Sequence, residues 1–371
     1  MSDENLTILL FMNFNSFWRK FWSTISGSKH LIAVDLGSAN TTIYIGSHGI
    51  VLNEPTILAQ DVKNEKVVAI GETAKQMIGR TPEHIQIIRP INQGIVTDPT
   101  LLEIYLKHLI DLAVEKVGYG QSSGFIAVVS IASSATQVDS RALQQLFYKI
   151  GASKVFLLPQ IYAAAIGAKI QFRDIQGQMI VQLGDSGTEI GVFSLGNLVF
   201  LETLPIGGAK FTQNITQAIR DEFNLLIGST TAEEAKIRVL ANSNSSALTL
   251  SREKQNINIR GRDLNTGLPR TIQVEQSLIQ EAIAKDLVEI ASSVKKCVEG
   301  LPPEIAVDIH DSGINLSGGG GLIADLDDVV TRILDTNVIV VSDPITAVIR
   351  GVGAVVENVE AYQDVLQNYT L

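Results

Sequence analysis

One unit of this sequence occurs twice, and a repeat of that length favours a fold with two similar lobes. In its first copy the apolar run Leu31, Ile32, Ala33 and Val34 enters the turn Asp35, Leu36, Gly37, Ser38, Ala39 and Asn40. A β-branched run over residues 41–45 follows, then a glycine-bounded turn at Gly46 and Gly49, then a third strand over 50–52. In the second copy Met179, Ile180 and Val181 enter Gln182, Leu183, Gly184, Asp185, Ser186, Gly187 and Thr188. A strand over 189–193, a turn at Gly196 and Asn197, and a strand over 198–201 complete it. Gln182 falls 147 residues after Asp35, and the loop lengths agree. Glycine turns let backbone N–H groups approach phosphate oxygens, and hydroxyls such as Ser38 and Thr188 add donors. Two facing hairpins of this kind would grip a polyphosphate from both sides.

Two further segments fit a nucleotide. Ile314, Asn315, Leu316 and Ser317 form a strand pattern that ends in Gly318, Gly319, Gly320 and Gly321, with a helical pattern expected over 322–334. A glycine run between strand and helix turns backbone N–H groups toward a ligand and leaves room for a flat ring. Glu233 and Lys236 stand three apart on an expected helix. Taken alone, such a pair reads as a solvated ion pair.

Residues 1–28 differ from the rest. Phe14, Phe17, Trp18, Phe21, Trp22 and Ile25 recur at helical spacing, opposite Asn15, Ser16, Arg19, Lys20 and Ser23. That stripe suits a helix lying flat in the lipid headgroup region, and a helix docked on protein is the alternative. Asn13, Asn15 and the Arg19–Lys20 pair interrupt the apolar run too early for a membrane span, which needs ~20 residues. Asp3 and Glu4 stand where a secretory signal would carry cations.

The net charge of −10 without a Lys/Arg block argues against a nucleic-acid partner. A single cysteine, Cys297, excludes an internal disulfide framework and a cysteine-based zinc site. The five histidines lack metal-ligand spacing and read as surface or internally satisfied residues. Residues 242–246 read as an exposed Asn/Ser loop, and the tail after about residue 361 as poorly ordered.

Beyond these local readings, the chain resembles the actin-like ATPase superfamily, and within it the bacterial cell-shape family of MreB. The resemblance is carried by residues 35–41, 49–55 and 71–79 (GETAKQMIG), by Arg80-Thr81-Pro82 and Arg89-Pro90, and by 163–167 (AAAIG). Gly267-Leu268-Pro269-Arg270 and 316–322 (LSGGGGL) continue it, in order from about residue 30 to 357. It implies an α/β actin-like fold of two duplicated ribonuclease-H-like lobes around a cleft for ATP and Mg²⁺. On this basis residues 1–29 would be the membrane-binding segment, 30–175 with 345–371 the first lobe, and 176–344 the second, with a small subdomain near 208–275.

By position, Gly37, Ser38, Ala39 and Asn40 would bind phosphate, with Asp35 supporting Mg²⁺ through water. Gly184, Ser186, Gly187 and Thr188 would form the second loop. Glu233 and Lys236 would flank the adenosine, and Gly318, Gly319, Gly320 and Gly321 would lie under it. The resemblance also implies double filaments of the protein itself on the inner face of the cytoplasmic membrane, organising cell-wall elongation proteins. The family's second membrane loop would fall at Val117, Gly118, Tyr119 and Gly120, where Tyr119 alone stands out.

Three departures from the family pattern touch the chemistry. Gln182 replaces the Asp that opens the second loop, Gln160 replaces the Glu that activates the attacking water, and Gln93 replaces another Asp, while Asp98 remains. Glutamine cannot accept a proton, although it can orient water. Asp185 stands three residues after Gln182, within the loop. A diverged member with weak or lost hydrolysis is the expectation, and a working ATPase is the alternative. A kinase of the same superfamily would need a carboxylate base and inserted substrate segments, neither of which is evident. A chaperone-type ATPase would need a substrate region beyond the core, and this sequence ends soon after the glycine run.

Overall fold

The computed structural model describes residues 30–92, 94–119, 124–241, 256–323 and 326–367. The aromatic stripe of residues 14–25, Gln93, Gly120 and the Asn/Ser loop lie outside the described residues.

Two five-stranded sheets dominate. The first contains β1 (Leu31–Leu36), β2 (Asn40–Ile45), β3 (Gly49–Pro55), β4 (Ile126–Ile131) and β5 (Lys154–Pro159). The second contains β6 (Gln178–Leu183), β7 (Thr188–Ser194), β8 (Asn197–Leu204), β9 (Ile314–Ser317) and β10 (Val338–Val340). Their orders are β5-β4-β1-β2-β3 and β10-β9-β6-β7-β8, which is one topology built twice. In each, three consecutive strands run antiparallel as a meander and two later strands add in parallel. The registers agree as well: Asp35 pairs with Thr42, and Gln182 with Glu189.

The central strands are near-continuous apolar runs because both faces are covered. In the first lobe, α1 (Pro99–Lys116) and α2 (Gln137–Lys149) pack on one face through Leu102, Leu106, Leu109 and Phe147. Asp98, the acid left near the Gln93 departure, accepts from the Leu101 N–H at 2.9 Å and so caps α1. The other face carries α3 (Gln160–Gly167) and α7 (Ala347–Glu357). Between them in chain order come α4 (Gly208–Phe223), α5 (Ser229–Ala241) and α6 (Gln276–Gly300), which build the second lobe with a three-stranded sheet of residues 225–226, 256–263 and 269–275.

Helices α3 and α7 follow the last strand of their respective lobes and cross at bare backbone. A Cβ on Gly167 would fall 1.8 Å from the Ala347 carbonyl oxygen, and one on Gly351 would fall 1.8 Å from that of Ala163. The crossing is reciprocal, with a small residue four positions before each glycine.

Two expectations need correction. After the glycine run a 3₁₀ turn (Gly319–Leu322) comes first, and the α-helix spans Leu326–Leu334. The tail is also ordered further than its length implied. A helix at Gln363–Gln367 buries Val365 and Leu366, while Arg173 holds Asp364 at 2.8 Å and lies over the Tyr362 ring.

Candidate functional site

The glycine turns after β1 and β6 face each other across the cleft between the lobes. Each closes with the same bond, Gly37 N–H to Asn40 O at 3.1 Å and Gly184 N–H to Gly187 O at 2.9 Å. Each is then braced from behind. Thr56 donates its hydroxyl to Gly37 O at 2.7 Å and its N–H to Ala39 O at 2.9 Å. In the second turn Gly208 and Ala209 donate to the carbonyls of Gly184 and Asp185, both at 3.0 Å, and Thr188 donates to Ile206 O at 2.6 Å. These bonds dock the N-terminus of α4 onto the turn, and a Cβ on Gly207 would meet two turn carbonyls at 2.6 Å. Among the described residues, nothing accepts the N–H groups of Ser38, Ala39, Asp185 and Ser186. Ser38 and Ser186 join the turns through their hydroxyls, and the Gly94 N–H donates to Ser38 at 3.2 Å.

Behind the turns stand equivalent pairs of different chemistry. Asp35 accepts from the Ser130 hydroxyl at 2.7 Å, and burial pushes its carboxyl up to about 6 even though that bond lowers it. At the matching place in the second lobe, the Gln182 side-chain oxygen accepts from Ser317. The glycine run starts immediately after Ser317. Gly318 adopts φ 84°, and a Cβ there would fall 2.2 Å from Leu183 O, whereas Gly319 faces open space.

Glu233 and Lys236 of α5 meet Gly208 and Thr212 of α4. Lys236 donates to Glu233 at 2.6 Å, Gly208 O at 2.9 Å and Thr212 at 3.1 Å, and Thr212 donates to Glu233 at 2.5 Å. The reading of this pair as solvated is therefore wrong for its cation. The Lys236 side chain is only 11% exposed, because it must supply three acceptors grouped beside the second turn. Asp185 lies in the same field. Burial raises its carboxyl, Lys236 lowers it, Glu233 raises it and Arg89 of the first lobe lowers it.

Gln160 opens α3, half-buried, and its side-chain amide bonds to no described residue. Cys297 is buried, its thiol pushed up to about 12 by burial and by Glu202, so it is no nucleophile. No group of three or more His, Cys, Asp or Glu among the described residues could hold a metal directly. His30 and His48 are satisfied at the surface: Tyr119 stacks on His30 at 3.9 Å and meets His48 edge-on at 5.3 Å.

A protein-family model described as MreB/Mbl protein matches residues 29–364. The chain belongs to the MreB/Mbl family. It is 36% identical to the cell shape-determining protein Mbl of Bacillus subtilis (strain 168) over 329 residues, 89% of this chain and 96% of the relative. To the cell shape-determining protein MreB of Escherichia coli (strain K12) it is 37% identical over 335 residues, 89% and 94%. Among solved structures, MreB5 of Spiroplasma citri bound to AMPPNP superposes with a TM-score of 0.83 at 28% identity, covering 91% of this chain and 98% of that one. The fold is therefore the actin-like one, and this MreB/Mbl member is a cytoskeletal protein of the cell shape-determining class.

Of the residues read from sequence, contacts join Ser38 to Ser186, set Gly318 against Leu183 and tie Lys236 to Gly208 beside the second turn, while Ser130, Arg89, Ser133 and Glu189 were not among the site residues read. Glu189 did leave a signal: it is the one charge in an otherwise apolar run that pairs as a central strand.

Proposed function

We propose that this MreB/Mbl member binds Mg·ATP between its lobes and assembles with copies of itself into filaments on the inner face of the cell membrane. There it organises cell-wall elongation, with slow ATP hydrolysis. One observation carries the nucleotide reading: two braced glycine turns face each other with four N–H groups that nothing in the described protein accepts. Oriented amides of this kind are the donors a polyphosphate takes up. The relatives support it, since MreB5 of Spiroplasma citri is described in complexes with AMPPNP and with ADP. For filaments the support is the family itself, together with the fold shared by MamK, whose structure is described as a double helical filament.

The chemistry of the donors fits a hydrated cation better than a directly ligated one. Asp35 offers a single buried carboxylate, and Mg²⁺ keeps several waters when few carboxylates hold it. When bound, Mg²⁺ would neutralise phosphate charge. Asp35 would hold its water, Ser38, Ala39, Asn40, Gly184, Ser186, Gly187 and Thr188 would cradle phosphate, and Glu233 with Lys236 would flank the adenosine over the glycine run. Gln160 would orient water without taking its proton, and the neutral Gln182 leaves the second lobe without the family's acid, so hydrolysis would be slow.

No helix among the described residues is long and apolar enough to cross a membrane. The stripe Phe14, Phe17, Trp18, Phe21, Trp22 and Ile25 would instead bind the lipid surface from one side. Sedimentation tests the whole reading. The protein should pellet with Mg·ATP at micromolar concentration and co-pellet with anionic liposomes, the latter lost when residues 1–28 are removed. Protein that stays monomeric in every condition would refute it.

A further inference from the structure

Glu189 lies on β7 of the second lobe with 5% of its surface exposed, yet both its carboxylate oxygens serve the first lobe. Oε1 accepts from the Ser133 N–H at 2.8 Å, and Oε2 accepts from the Ser133 hydroxyl at 2.6 Å. A serine hydroxyl has one proton, and here it points at Glu189, so its lone pairs face elsewhere. One of them accepts the Ile161 N–H at 3.0 Å. Ile161 is the second residue of α3, and first-turn N–H groups have no acceptor within their own helix. Pro159, the residue before the helix, supplies no side-chain cap. Ser133 therefore caps α3 from outside, and Glu189 sets the direction of the proton that makes this possible.

We propose that Glu189 is a positioning residue for Gln160: from the second lobe it fixes the first turn of α3, so that the water-orienting amide is set only when the lobes are closed on each other. The link consists of two parallel bonds across the lobes, from Ser133 to Glu189, followed by one within the first lobe, from Ile161 to Ser133, and Gln160 is the residue next to its end. The carboxylate is chemically required. A glutamine at 189 would present an N–H to the Ser133 oxygen, reverse the hydroxyl and compete with Ile161. The capping link stands on these contacts alone, while its consequence for hydrolysis rests on the nucleotide reading above.

Hydrogen exchange on the full-length protein tests the link, and single-turnover phosphate release tests its consequence. Glu189→Gln and Ser133→Ala should each speed exchange in the first turn of α3 by about tenfold, the scale of losing a bond to a charged group, with α1 unchanged. Ser133→Thr, which keeps the hydroxyl, should restore wild-type exchange. Phosphate release should fall about tenfold in Glu189→Gln while Mg·ATP affinity changes less than about threefold, and adding Ser133→Ala should cost little more, because the two act as one unit. Wild-type exchange in Glu189→Gln, or a Ser133→Thr variant as fast as Ser133→Ala, would overturn the proposal. If Glu189→Gln fails to fold, the Ser133 pair decides. Wild-type protein that binds no Mg·ATP would refute the nucleotide reading and leave the exchange result to judge the link.

Discussion

The two lobes place equivalent strands, turns and partner hydroxyls at matching positions, and at the strand end behind each turn they differ in one side-chain group. In the first, Asp35 is held by Ser130; in the second, Gln182 is held by Ser317. Both arrangements satisfy the serine, so the difference has little to do with holding the sheet together. It lies in charge. Burial raises the Asp35 carboxyl from 3.8 to about 6, a cost of roughly 3 kcal/mol when it ionises, while an amide carries no such cost. On the proposed nucleotide reading, a cation at the first lobe would offset that penalty. The neutral Gln182 avoids that cost in the second lobe, where burial raises the carboxyl of Asp185, the acid of the second turn, and Lys236 and Arg89 lower it.

The largest effects should come from the part the lobes share without difference. Gly167→Ala and Gly351→Ala each force a methyl group onto a backbone carbonyl, so each should cost about 4 kcal/mol or more and abolish or sharply lower the melting transition. A variant that melts normally while its counterpart does not would break the symmetry of the crossing.

Restoring the acid sharpens the comparison next. Gln182→Asp buries a second carboxylate beside Ser317 and should destabilise the free protein by about 2–4 kcal/mol at neutral pH. The loss should shrink in acid, where the group is protonated, and Mg·ATP should offset it.

Asp35→Asn makes the first lobe like the second. The folded state holds the Asp35 proton more tightly than the unfolded chain does, so ionisation begins to cost stability as pH rises past about 4 and costs the full amount above about 6. The variant should therefore gain roughly 1–3 kcal/mol over wild type at pH 7.5 and nothing below pH 4, read from denaturant melts. It should also lose the Mg²⁺ dependence of ATP binding. The smallest effect is expected at Lys236, where, on the proposed nucleotide reading, Lys236→Met should weaken ATP binding roughly tenfold, or about 1.4 kcal/mol, by titration.

Much of this was legible in the sequence because it is local. The turns around Gly37 and Gly184, the meanders that follow them and the glycine run after Ser317 each depend on residues a few positions apart. The Gln182 and Gln160 departures could be read only against the pattern of the family that the chain resembles. What could not be read joins distant segments. Ser133 and Glu189 lie 56 residues apart, and nothing in either neighbourhood announces the other. Lys236 looked solvated because a helix pattern does not show that Gly208 and Thr212 will pack over it. The tail looked loose because its two buried residues, Val365 and Leu366, matter only once the β5 side of the first lobe is there to receive them.

The central claim is that the second lobe has given up its acid, so that the cleft holds Mg·ATP but cuts it slowly. Single-turnover phosphate release from the purified wild type and Gln182→Asp tests this most directly, with bound nucleotide measured in the same samples. The account predicts stoichiometric Mg·ATP binding by both and release at least about tenfold faster from the variant. Wild-type release equal to or faster than that of the variant, with both saturated, would contradict it.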